Sequence, residues 1–129
     1  MIAVDTSVYV AIVLGEAEAS LLSQALAHAD QKSLSAGNYL ECAIVAHQKL
    51  GGSADLDLWL EQRKIAVVPV DHAVARMAEA AFAQFGKGRH PAALNYGDCF
   101  AYALAKSLDA PLLFKGDDFS RTDIRSALV

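Results

Sequence analysis

Met1-Ile2-Ala3-Val4-Asp5-Thr6-Ser7-Val8-Tyr9-Val10-Ala11-Ile12-Val13-Leu14 opens the chain. A short apolar run stops at an acid, two hydroxyl residues suited to capping a helix follow, and a second apolar run begins. That is the pattern of strand, tight turn and helix. Glu16 to Ala29 then sets Leu21, Leu22 and Leu26 on one helical face, and Lys32 to Ala36 is a weak strand. Tyr39 to Leu50 carries a stripe of Leu40, Ala43, Ile44 and His47 and stops at Gly51-Gly52. Ser53 is expected to cap a helix reaching about Arg63. Ile65 to Val70, rich in β-branched residues, reads as the clearest interior strand, and Asp71 caps a helix extending to Phe85. Gly86-Lys87-Gly88-Arg89-His90-Pro91 is an exposed, mobile, basic loop. Beyond it, Asn95-Tyr96-Gly97-Asp98 opens a helix that is apolar all round and hence buried, and Pro111 to Phe114 is the last strand. Strands alternating with helices specify an α/β fold, a parallel sheet covered on both faces that binds ligands beyond the carboxyl ends of its strands.

The 129 residues, 54% hydrophobic and 20% charged, suffice for one domain, residues 1–129, with its own core. Charged or amide residues break every apolar run well short of the roughly 20 residues that span a bilayer, so no membrane segment is expected. The first residues lack the basic stretch and cleavage site of a secretory signal, and a cytoplasmic protein is expected. Cys42 and Cys99 fall in apolar helical stretches without metal-ligand spacing and read as reduced, buried small hydrophobes rather than zinc ligands. With 11 basic against 15 acidic residues the net charge is −4, so no global field draws in a polyanion. Local basic clusters stand against that, one at Lys87, Arg89 and His90 and another at Lys115, Arg121 and Arg125.

Five acids carry the functional signal. Asp5 ends the first strand, Glu41 and Asp98 interrupt apolar helices, and Asp117 and Asp118 follow the last strand. Taken singly, each has an ordinary explanation: Asp5 as a turn or cap residue, Asp98 as a first-turn acid favoured by the helix dipole, Glu41 as a surface side chain, the pair as a solvated turn. Taken together, the topology gathers them at one end of the sheet. Like charges at about 4 Å repel by roughly 1 kcal/mol in water and about 4 kcal/mol at an effective dielectric near 20. A hard divalent cation, Mg²⁺ or Mn²⁺, reverses the sign of that interaction and points to phosphoryl chemistry.

Val4-Asp5-Thr6-Ser7, the helical Glu41, Asn95-Tyr96-Gly97-Asp98-Cys99-Phe100-Ala101-Tyr102-Ala103-Leu104-Ala105 and Leu112-Leu113-Phe114-Lys115-Gly116-Asp117-Asp118-Phe119 closely resemble PIN-domain ribonucleases, nearest to VapC-type toxins. The resemblance spans essentially the whole chain, with the motifs in the family's order. It implies a three-layer fold around a parallel sheet of four to five strands. It also implies Mg²⁺- or Mn²⁺-dependent hydrolysis of RNA, with Asp5 and Asp98 as primary metal ligands and Glu41 and Asp118 completing the site. Asp118 is favoured over Asp117 because the family's last acid immediately precedes a phenylalanine. Thr6 or Ser7 would orient water or phosphate, or simply cap the helix. A cognate VapB-type antitoxin and a homodimer are the implied partners. Leu21, Leu22, Leu26, Leu56, Leu58, Trp59 and Leu60 serve equally as contact surface or as core. A haloacid-dehalogenase-like phosphatase would need an acid where Ser7 stands. A receiver-type signalling domain would need an aspartate closing a central strand, whereas Asp71 leads straight into a helix.

Overall fold

The computed structural model describes residues 1–128. Four parallel strands, β1 (Ile2–Val4), β2 (Lys32–Ser35), β3 (Ile65–Val68) and β4 (Leu112–Leu113), form one sheet in the order β3-β2-β1-β4. Six helices surround it: α1 (Thr6–Val13), α2 (Ala19–His28), α3 (Ala36–Lys49), α4 (Leu56–Gln62), α5 (His72–Phe85) and α6 (Tyr96–Leu108). A 3-10 turn at Phe119–Arg121 follows β4. Beyond it, Leu112 makes a parallel bridge to Ser126, which extends pairing past the four strands.

Strand pleating divides the core into two layers, because successive side chains leave opposite faces of the sheet. Ile2, Val4, Leu34 and Leu113 pack against α1, α2, α3 and α4 through Val8, Leu22, Leu26, Cys42, Leu56 and Leu60. Ala3 and Leu112 face the other way, onto α5 and α6 through Ala81, Phe85, Ala101 and Leu104. This is the three-layer architecture expected.

Two strand readings are corrected. Ile65–Val68 is an edge strand with Ala66 and Val67 exposed, and it ends before Pro69, which has no N–H to continue a ladder. The weak candidate at Lys32–Ser35 is the interior one, paired on both sides. Its small polar residues are tolerated because the strand is paired with a neighbour on each side. Ser53 does not cap α4; its hydroxyl bonds His47 Nε2 (3.3 Å) and Asp55 stands at the cap. Of the leucines offered as contact surface, Leu22, Leu26, Leu56 and Leu60 are core, while Leu21 and Leu58 are exposed. Both cysteines are free and buried. Among the described residues, no helix is long and apolar enough to cross a membrane.

Candidate active site

Strands β1, β2 and β4 each hand the chain to the acid end of the sheet. β1 runs directly into Asp5, whose backbone N–H donates to Leu113 O (3.0 Å) and locks it beside β4. Asp5 is 6% exposed and is itself the N-cap of α1, accepting from Ser7 N (3.0 Å). The two hydroxyl residues are therefore free for other tasks. Ser7 Oγ accepts from Lys115 N (3.0 Å), fastening the loop after β4 to the start of α1. Thr6 Oγ1 donates to Glu41 Oε1 (2.7 Å).

Glu41 comes from α3, which begins where β2 ends, with Ser35 as N-cap. Asp98 comes from α6 and closes a reciprocal capping box: Asp98 N donates to Asn95 Oδ1 (2.9 Å) and Asn95 N donates to Asp98 Oδ2 (3.0 Å). The first-turn explanation for Asp98 is thus correct as far as it goes, yet it leaves the carboxylate in the company of other acids. Asp118 follows β4 and starts the 3-10 turn, exposed.

Electrostatics ties the four together. Burial pushes the Asp98 carboxyl up to about 6 from an ordinary 3.8, against the hydrogen bond from Asn95, and the charges of Asp5, Asp118 and Glu41 add to the rise. Asp5 is likewise raised, first by burial and also by the Glu41 charge, against the hydrogen bonds from Ser7. Asp117 O receives Ser120 Oγ (2.6 Å) and Ser120 N (3.2 Å) and Asp118 O receives Arg121 N (3.4 Å), so the backbones of both residues build the 3-10 turn.

The acids lack a cationic partner. Among the described residues, every ion pair involves other carboxylates: Asp30 with the N-terminus, Asp123 with Lys106, Asp109 with Arg125, and Glu16 and Glu18 with Lys115. Four oxygen-donor side chains without a positive neighbour suit a hard divalent cation. As the side chains stand, no three acidic, histidine or cysteine residues are arranged as a finished cage among the described residues. Asp5 and Asp98 each spend one oxygen on a backbone N–H. A further fit lies at Gly97, where a β-carbon would overlap the Glu41 carboxylate; the missing side chain makes the space Glu41 occupies.

The basic residues divide. Lys115 and Arg125 are engaged in ion pairs. His90 packs edge-on against Phe85 and accepts from Ala92 N through Nδ1 (3.0 Å). The loop expected to be mobile is held by a Gly86–Leu94 bridge and by Lys87 N donating to Leu94 O (2.9 Å). Arg121 joins it by donating to Pro91 O (3.2 Å), and Lys87, Arg89 and Arg121 are exposed.

A parallel sheet of this order, with helices on both faces and carboxylates gathered at its strand ends, is the architecture of a PIN domain, and the PIN-domain family model matches residues 2–125. "Ribonuclease VapC" of Mycolicibacterium smegmatis is 49% identical over 123 residues, covering 94% of this chain and 95% of that protein. The crystal structure of Mycobacterium tuberculosis VapC20, described as a sarcin-ricin loop cleaving toxin, superposes with a TM-score of 0.78 at 16% identity, covering 96% of each chain. A toxin-antitoxin complex from Klebsiella pneumoniae gives a TM-score of 0.71 at 15% identity, covering 95% of this chain and 93% of that one. The chain belongs to the PIN-domain family, in its VapC branch.

Proposed function

We propose that this chain is a divalent-cation-dependent endoribonuclease, the toxin half of a VapBC-type pair. The observation that carries the reading is the set of carboxylates at the strand ends, Asp5, Glu41, Asp98 and Asp118, that no lysine, arginine or histidine neutralises among the described residues. Asp5 and Asp98 would hold the cation first, with Glu41 and Asp118 completing its surroundings. When bound, Mg²⁺ or Mn²⁺ supplies Lewis-acid stabilisation of the phosphate oxygens and makes water a competent nucleophile near neutral pH.

The remaining tasks fall to the chain's own residues. The thiols are not nucleophiles here: burial, with the charges of Asp5 and Glu41, pushes Cys42 up to about 12, and burial with Asp98 raises Cys99. Water is the nucleophile this reading assigns, activated by the bound cation. Lys87, Arg89 and Arg121 would hold RNA phosphates despite the net charge of −4. Tyr96, 80% exposed and two residues before Asp98, would stack on a base; Tyr9 and Tyr102 are core, and Tyr39 donates its hydroxyl to Asp57 Oδ1 (2.7 Å).

A proteinaceous inhibitor fits the same reading. An open apolar groove of about 840 Å³ runs between α3, α5 and α6, lined by Gly37, Val70, Phe82, Tyr96 and Phe100. Leu40, Ile44 and Met77 lie exposed on the same helices. A VapB-type antitoxin covering this apolar surface, with a cationic side chain reaching the acids, would neutralise both features at once. A homodimer is proposed alongside it, in the cytoplasm where RNA is met.

Purified protein incubated with RNA and Mg²⁺ or Mn²⁺ is expected to cleave it, and EDTA to stop cleavage. Asp5→Ala and Asp98→Ala should each abolish the activity with the circular-dichroism spectrum unchanged. Full activity in both variants sinks the site. Labelling of an aspartate by acetyl phosphate would favour a phosphatase or receiver instead.

A further inference from the structure

Glu41 is held more tightly than a bare ligand needs. Two donors converge on a single carboxylate oxygen, Oε1: Thr6 Oγ1 (2.7 Å) from α1 and Asn38 Nδ2 (2.8 Å) from the first turn of α3. Among the described residues no donor reaches Oε2. The Asn38 amide is completely buried, and its Nδ2 also donates to Gly97 O (3.0 Å) across the junction with α6. Two acceptors on one side fix which end of the amide is nitrogen. The other end, Oδ1, is buried with no partner, a cost to folding that an alanine or leucine here would avoid.

Gly97 forms the opposite wall. Its backbone is ordinary helix, so no conformational demand calls for glycine, and alanine would favour the helix. What forbids a methyl group is the Glu41 carboxylate lying across the α-carbon. Gly37, likewise, has the Phe100 ring where a β-carbon would stand, so α3 and α6 meet through two glycines. That close approach is what brings Asn38 within reach of the Gly97 carbonyl, one residue before Asp98.

We infer that Asn38 is a positioning residue that, with Gly97 as backstop, fixes the Glu41 carboxylate with Oε1 saturated and Oε2 left for a cation, and couples its placement to that of Asp98. The inference rests on the reading of Glu41 as a ligand. Asn38 touches neither cation nor RNA; it acts through Glu41.

Mn²⁺ binding, measured by calorimetry on the full chain without RNA, provides a readout independent of activity. Asn38→Ala is expected to weaken Mn²⁺ affinity about 10- to 100-fold, the range seen when a hydrogen-bond partner of a ligand is removed. In a Glu41→Ala background the same substitution should change affinity less than twofold, because the group it acts through is gone. Gly97→Ala covers the case in which Asn38→Ala does not fold: it should weaken Mn²⁺ binding about tenfold or more while the melting temperature holds. Wild-type affinity in both Asn38→Ala and Gly97→Ala, with Glu41→Ala impaired, overturns the clamp and leaves the site standing. An Asn38→Ala effect undiminished in the Glu41→Ala background also overturns it. Absence of Mn²⁺ binding by the unsubstituted protein overturns the clamp and the site together.

Discussion

The acids of this molecule live under two regimes. On the flanks, carboxylates meet cations: Lys106 Nζ reaches Asp123 Oδ2 at 2.7 Å, with Tyr102 OH on the other oxygen at 2.7 Å, and Lys115 lies 2.9 Å from Glu16. At the strand ends, among the described residues, Asp5, Glu41, Asp98 and Asp118 meet only neutral donors and one another. Lys115 makes the contrast sharp. Three residues from Asp118, it turns away to Glu16 and Glu18. The flanking acids are neutralised within the folded chain, while those at the strand ends are the ones proposed to meet a cation from outside it.

Substitution is the most forceful way to break this comparison. Asp5→Ala or Asp98→Ala is expected to lower RNA cleavage about a thousandfold or more, several kcal/mol of charge stabilisation. Asp123→Ala, in the paired group, should leave cleavage within about twofold. Equal losses across the two groups in a cleavage assay would erase the distinction.

Stability without added cation gives a smaller effect of opposite sign in the two groups. The Asp98 carboxyl titrates at about 6 in the folded chain against 3.8 ordinarily, so the folded state binds the proton more tightly than the unfolded state. Stability is full below about pH 4, falls as the pH rises to about 6, and stays reduced above it. Asp98→Asn retains an oxygen for the Asn95 N–H and removes this penalty. With Asp98 partly exposed, the gain at pH 7.5 should be about 1–2 kcal/mol after discounting for solvent screening, read as a higher melting temperature in EDTA. Saturating Mn²⁺ should reverse the order, since only the unsubstituted protein gains from binding.

Asp123 should run the other way, more weakly. Burial pushes its carboxyl up, but hydrogen bonds from Lys106 and Tyr102 outweigh it and hold the group below 3.8. Its contribution is therefore present above about pH 4 and lost on acidification through the folded value. Lys106→Ala should cost about 0.2–1 kcal/mol at pH 7 in a denaturation curve, and less in high salt, because both partners are substantially exposed.

Legibility in the sequence followed the locality of the cause. Asp71 capping α5 and Gly51-Gly52 ending α3 are local backbone chemistry, and both stand where the residues alone put them. Strand rank was not local. Ile65–Val68 has the composition of a central strand but lies at the edge, and Lys32–Ser35 has the composition of an edge yet is paired twice. Propensity reports how a side chain suits a pleated surface, whereas position in the sheet depends on which helices cover it. The four acids proposed for the site could be named from apolar context and resemblance. Asn38 could not, because an asparagine in a helix's first turn is unremarkable until its amide is seen buried against Glu41 and Gly97.

By itself the sequence determined the alternation of strands and helices, the acids at the strand ends and the family, since periodicity, caps and motifs are written in consecutive residues. Only the tertiary structure decided that Asp5 caps α1 and frees Thr6 and Ser7, that Gly97 makes room for Glu41, and that Lys115 spends its charge elsewhere. Those outcomes depend on distances between residues far apart in the chain, such as Ser7 and Lys115 or Asn38 and Gly97, and such distances exist only once two packed layers close on the sheet.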